Sequence, residues 1–114
     1  MTIREVQVNG AVLPVHFGSA ALSAFLDEVG ATLADLQSGE FAQKLTYRHT
    51  LLIAFYGIKD GHRKQRKDFS LTFDDIADAV DENPDLLQIC MTAFAESNGG
   101  QDTGKAKGAK GKRP

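Results

Sequence analysis

Ile3-Arg4-Glu5-Val6-Gln7-Val8-Asn9-Gly10-Ala11-Val12-Leu13-Pro14-Val15-His16-Phe17 begins the patterned part of the chain with two β-rich runs around an Asn-Gly pair. Asn-Gly between such runs is the strongest short hairpin signal, because both central residues of a type I′ turn need positive φ. Pro14 has no N–H to give to a ladder, so it marks an edge position or a bulge in the second strand. Residues 3–17 therefore predict a β-hairpin. Beyond Phe17 the chain reads as helix, so the expected fold class is α+β, a hairpin packed on a small bundle of about five helices.

Gly18-Ser19 starts the first helix, over 19–29, with Leu22, Phe25, Leu26 and Val29 on one face and Gly30 as its stop. Thr32-Leu33-Ala34-Asp35 has capping-box spacing and opens a short helix over 32–38. The longest predicted helix covers 40–59, where Phe41, Leu45, Leu52, Phe55 and Tyr56 recur at three- and four-residue steps. Residues 57–69 read as a polar connection containing His62-Arg63-Lys64-Gln65-Arg66-Lys67. Thr72-Phe73-Asp74-Asp75 again has capping-box spacing and predicts a helix over 73–82. Asn83-Pro84-Asp85 restarts the chain as a helix over 84–97, with Asn as cap, Pro in the first turn and Asp beside the free amides.

Composition breaks after Asn98. Residues 1–98 carry 8 Lys+Arg against 14 Asp+Glu, whereas residues 99–114 carry 5 against 1 and consist mostly of Gly and Lys. The tail has too little to bury to offset the ordering of its backbone, so a single folded domain over 1–98 followed by a disordered basic tail is expected. Cys90 is the one cysteine, which excludes an internal disulfide and a cysteine metal cluster. The charged start of the chain does not fit a secretory signal, and the longest apolar run, Leu51–Tyr56, is far short of a bilayer span. A cytoplasmic protein without membrane contact is expected.

Nothing in the chain has a catalytic signature, so a non-enzyme without cofactor or metal is expected. His49 shares a face with Leu45, Leu52, Ile53 and Tyr56 and reads as a packed structural histidine, while His16 and His62 read as isolated. Asp74, Asp75, Asp78, Asp81, Glu82 and Asp85 lack the glycine and terminal Glu of a calcium loop. Cys90 falls in register with Leu86, Leu87 and Phe94, as a small core residue would. Gly57 and Gly61 form no phosphate loop. Two surfaces remain as partner-binding candidates: the cations Arg63, Lys64, Arg66 and Lys67, and the helix-start carboxylates Asp74, Asp75 and Asp78. The basic run has no interleaved aromatics for base stacking, so nucleic acid is the lesser alternative.

The order of these features resembles the tail assembly chaperones of long-tailed bacteriophages. The resemblance rests on the Asn-Gly hairpin ending in Phe17-Gly18, Leu26-Asp27-Glu28, the long helix with Ala54-Phe55-Tyr56-Gly57-Ile58-Lys59, and Leu71-Thr72-Phe73-Asp74-Asp75-Ile76 leading into two acidic helices. Pro14 and the basic stretch 62–67 depart from the pattern. The resemblance implies a non-enzymatic protein that coats the tape-measure protein, helps recruit tail-tube protein and leaves the finished particle. Under it the expected location is the host cytoplasm, and self-association is left open. The alternative is a small nucleic-acid-associated protein using the basic run 62–67 and the basic tail.

Overall fold

The computed structural model describes residues 3–98, so the expectation for the tail 99–114 lies outside the described residues. Strands β1 (Arg4–Val8) and β2 (Ala11–Val15) form a two-stranded antiparallel sheet. Asn9 and Gly10 turn between them with φ of 53° and 81°, the positive pair that a type I′ turn demands. The register runs one-to-one from Arg4 opposite Val15 to Val8 opposite Ala11, so Pro14 sits opposite Glu5 without a bulge. A two-stranded ribbon has only edge strands, which is why a proline is tolerated there. Gly10→Val would place a β-branched residue at φ 81° and should cost about 1–3 kcal/mol in urea unfolding. An unchanged midpoint would mean that the turn re-forms without a left-handed residue.

Helix α1 (Ser19–Val29) stops at Gly30, whose φ of 71° lets its N–H reach the Leu26 carbonyl. The Thr32–Asp35 capping box then opens α2 (Leu33–Ser38), both of its reciprocal bonds being formed. Here the sequence expectation needs its main correction. The predicted helix over 40–59 is two helices, α3 (Glu40–Gln43) and α4 (Tyr47–Lys64). A third capping box makes the break: Thr46 Oγ1 accepts from the His49 amide, and His49 Nδ1 accepts from the Thr46 amide at 3.2 Å. The helix count among the described residues is accordingly six.

The same helix also runs five residues past its expected end, so 57–64 is helix where a polar connection was expected. Basic residues in its last turn suit the negative end of the helix dipole. The helix closes beyond Gln65, with Arg66 left-handed at φ 57°. The Lys67 amide reaches back to the His62 carbonyl and the Arg66 amide to the Arg63 carbonyl, the bonding pattern of a Schellman motif with Arg where Gly is usual. Thr72 and Asp75 then cap α5 (Phe73–Glu82) as expected. Asn83 Oδ1 accepts from the Asp85 amide at the start of α6 (Asp85–Asn98), and its Nδ2 donates to the Gln7 carbonyl of β1.

Helix α4 is the axis of the domain. Leu51, Leu52, Ile53, Ala54 and Ile58 are all buried, because β2, α1, α5 and α6 pack around it. A helix that is apolar on more than one face must be surrounded in this way. Beside it, Phe25 has no exposure and meets Phe17, Phe41 and Phe94 edge-to-face at centroid distances of 6.4, 5.9 and 5.5 Å. Such ring pairs add about 0.5–1.5 kcal/mol each to what area burial gives. No helix among the described residues is long and apolar enough to cross a membrane.

Candidate functional site

The hairpin is tied to α4 by polar groups that sequence reading left apart. His16, just past β2, and Asp60, on α4, are each only 3% exposed. His16 Nδ1 lies 2.7 Å from Asp60 Oδ2, and since a carboxylate only accepts, Nδ1 carries the proton between them. The Gly18 amide donates to the same oxygen at 3.2 Å. Arg63 closes the other side, its Nε and Nη2 donating to Asp60 Oδ1 at 2.9 and 2.7 Å. The His16 amide also donates to the Gly57 carbonyl at 3.0 Å. Burial by itself would raise the Asp60 pKa. The bonds from His16, Arg63 and Gly18, with the Arg63 charge, outweigh it and hold the carboxyl below its ordinary value.

Directly over this lock a groove of about 460 Å³ opens between α1 and the second half of α4, within the range of ~300–1,000 Å³ usual for binding clefts. Its α1 side, the apolar floor, is Ala20, Ala21 and Ala24, which project nothing beyond Cβ. The α4 wall is Tyr56, Lys59, Asp60 and Arg63, one helical face at steps of three and four. Lys67, Asp68 and Phe69 close one end. Tyr56 is fixed by a bond from its hydroxyl to Glu28 Oε1 at 3.2 Å. Its hydroxyl pKa is raised by burial, then by that bond and the charges of Glu28 and Asp27. Phe69 is held between Phe55 at 5.5 Å and His62 at 5.2 Å. The groove thus joins an apolar floor, two aromatic rings and a rim on which three cations stand beside two acids.

Of the partner-binding candidates read from sequence, Arg63 and Lys67 line this groove. Lys64 and Arg66 are exposed but lie outside its lining. Asp74, Asp75 and Asp78 are exposed on α5, and Asp75 is engaged in the Thr72 capping box. None of these three carboxylates lines the groove. Sequence reading missed Tyr56, Lys59 and Phe69 as lining residues. The signal was present in the spacing of Tyr56, Lys59, Asp60 and Arg63, but it was hidden once the helix was ended at residue 59. It also described His16 as isolated, which its bond to Asp60 corrects, and His62 Nδ1 lies 2.8 Å from the Ile58 carbonyl.

The remaining chemistry-bearing groups serve the fold. His49 is a half-buried capping residue 5.4 Å from the Phe41 ring. Cys90 is fully buried, and burial pushes its thiol up to about 12, so it is no reactive thiolate. Among the described residues no group of three or more His, Cys, Asp or Glu is placed to hold a metal ion. Compared with protein-family models, curated protein sequences and solved structures, the chain has no significant match.

Proposed function

We propose that this chain is a tail assembly chaperone of a long-tailed bacteriophage, a non-enzymatic protein that holds the tape-measure protein in the host cytoplasm and assists assembly of the tail-tube protein. The element order supports this reading: hairpin, helix, short helix, long helix and two acidic helices follow one another as the resemblance implies, with the four-residue α3 added before the long helix. The observation that carries it is the apolar-floored groove beside α4. A long helical client with bare apolar stripes aggregates, and an apolar groove between two helices can cover one such stripe while the rim stays wetted.

Co-expression with the tape-measure protein of the same genome tests the proposal. The client should stay in the soluble fraction with this chain present and precipitate without it. Equal precipitation in both cases would overturn the reading. A second reading, a nucleic-acid-associated protein, draws on the cations Lys59, Arg63, Lys64, Arg66 and Lys67 gathered at one end of α4. Binding through phosphates falls steeply with salt, because each neutralised phosphate releases counterions, whereas client binding keeps the share contributed by the apolar floor when salt screens the rim.

A further inference from the structure

Positive charge on the domain is concentrated in one place. Five of the eight Lys and Arg residues before residue 99 lie between 59 and 67, and of the other three Arg4 is paired with Glu96 while Arg48 lies over the Phe73 ring. Lys59, Arg63 and Lys67 from that cluster stand on the rim of the alanine-floored groove. The acids in the same lining are Asp60 and Asp68, and Asp60 is already satisfied by His16, Gly18 and Arg63. With Arg63 paired to Asp60, the lining keeps Lys59 and Lys67 against Asp68, a surplus of one positive charge, so it suits an occupant with apolar atoms toward the floor and negative charge toward the rim.

We infer that the groove takes an acidic amphipathic helical segment of the client, whose carboxylates meet Lys59, Arg63 and Lys67; this rests on the chaperone reading. The alanines of α1 allow a third helix to approach closely, as small residues do wherever helices pack tightly. From Tyr56 to Arg63 the wall is about 10 Å long at 1.5 Å per residue, matching roughly two turns of a docked helix. Residues 99–114 of this chain have the same net sign as the rim, so their charge is not the one it suits. A second copy offers acidic α5, but of the apolar residues of that helix Ile76 and Val80 are buried in its own core and Phe73, Ala77 and Ala79 are packed against it. Nucleic acid would match the rim, yet Tyr56 and Phe69 already make ring contacts with Phe55, and Phe69 also with His62, so each has less ring surface left for base stacking.

The test tiles the tape-measure protein of the same genome into peptides of about 20 residues, long enough to form a helix. Binding to the full chain is compared with binding to the double variant Lys59→Glu/Lys67→Glu. Both positions are exposed and make no ion pair with another described residue, so the variant should fold, which circular dichroism and its melting curve verify. Arg63 is left alone because it holds Asp60. The bound peptides should be acidic and amphipathic, and the double reversal should weaken them roughly tenfold or more. An Ala24→Trp variant, which fills the floor, should weaken them as well.

Preferential binding of basic or neutral peptides, binding indifferent to both variants, or no bound peptide would overturn the groove assignment. A single-stranded oligonucleotide that binds and is released by the double reversal, with no peptide bound, would overturn it in favour of nucleic acid. Solubilisation of the whole tape-measure protein is scored separately. If it persists in both variants, the chaperone reading stands while the groove assignment fails.

Discussion

Gly61→Ala should lower the unfolding free energy by about 3 kcal/mol or more and the thermal midpoint by roughly 12 °C or more. The reason is a close approach of two backbones. A Cβ at Gly61 would lie 2.5 Å from the Pro14 carbonyl carbon, 2.9 Å from the Val15 nitrogen and closer still to the Pro14 oxygen. No side-chain rotation relieves a clash with main chain, so β2 must lift away from α4 and take with it the buried Val15, His16 and Phe17. Gly57→Ala is the internal control. One turn earlier, the new Cβ would sit 3.5 Å from Phe17 Cδ2 and 3.6 Å from Val15 Cγ1, ordinary contact distances. That variant should keep the stability of the parent or gain up to about 1 kcal/mol, since Ala is the better helix former. Both proteins would be compared by urea and thermal unfolding. Equal stability of the two would mean that β2 is not seated on Gly61 as described.

That pair of glycines also explains where reading the sequence stopped short. Two glycines and a run of cations look like the end of a helix, because Gly usually stops helices and charge is usually solvated. Here Gly61 is required by what crosses it, and the crossing strand is 46 residues or more away in sequence, a distance that no local pattern reports. The hairpin was legible because its cause is local: Asn9-Gly10 dictates the turn, and the turn dictates the register. The Thr32 and Thr72 capping boxes were legible for the same reason. The Thr46 box was not, because an imidazole nitrogen fills the place usually held by a carboxylate or amide.

The groove was half legible. Arg63 and Lys67 stand out in the sequence as a basic run, but which of the cations share a face depends on where α4 ends. Extending the helix to Lys64 brings Arg63 onto the face that Tyr56 and Lys59 share and leaves Lys64 off it. The alanines opposite carry no chemical signal at all. They matter through what they omit, and omission becomes visible only when α1 and α4 are seen side by side.

Asp60→Ala should cost about 3–5 kcal/mol at neutral pH, a large share of the ~5–15 kcal/mol that holds a domain of this kind together. Deleting the carboxylate removes the partner of the His16 Nδ1–H and of the Gly18 amide, and His16 is too buried to turn to water instead. Arg63, with its side chain 57% exposed, can turn outward, so most of the loss falls on the hairpin side. Asp60→Asn keeps the shape but presents an amide donor where two donors already converge, and it should recover only part of the loss. Titration supplies the second readout. The Asp60 pKa is lowered in the folded state, so its contribution is present above the ordinary carboxylate value of about 3.9 and fades as pH falls through the depressed folded value. The stability gap between parent and Asp60→Ala should therefore be widest near neutrality and narrow in acid. Urea unfolding at neutral pH and at about pH 3 measures it. A gap that stays constant across that window, or a variant as stable as the parent at neutral pH, would mean that the ionised carboxylate is not what clamps the hairpin to α4.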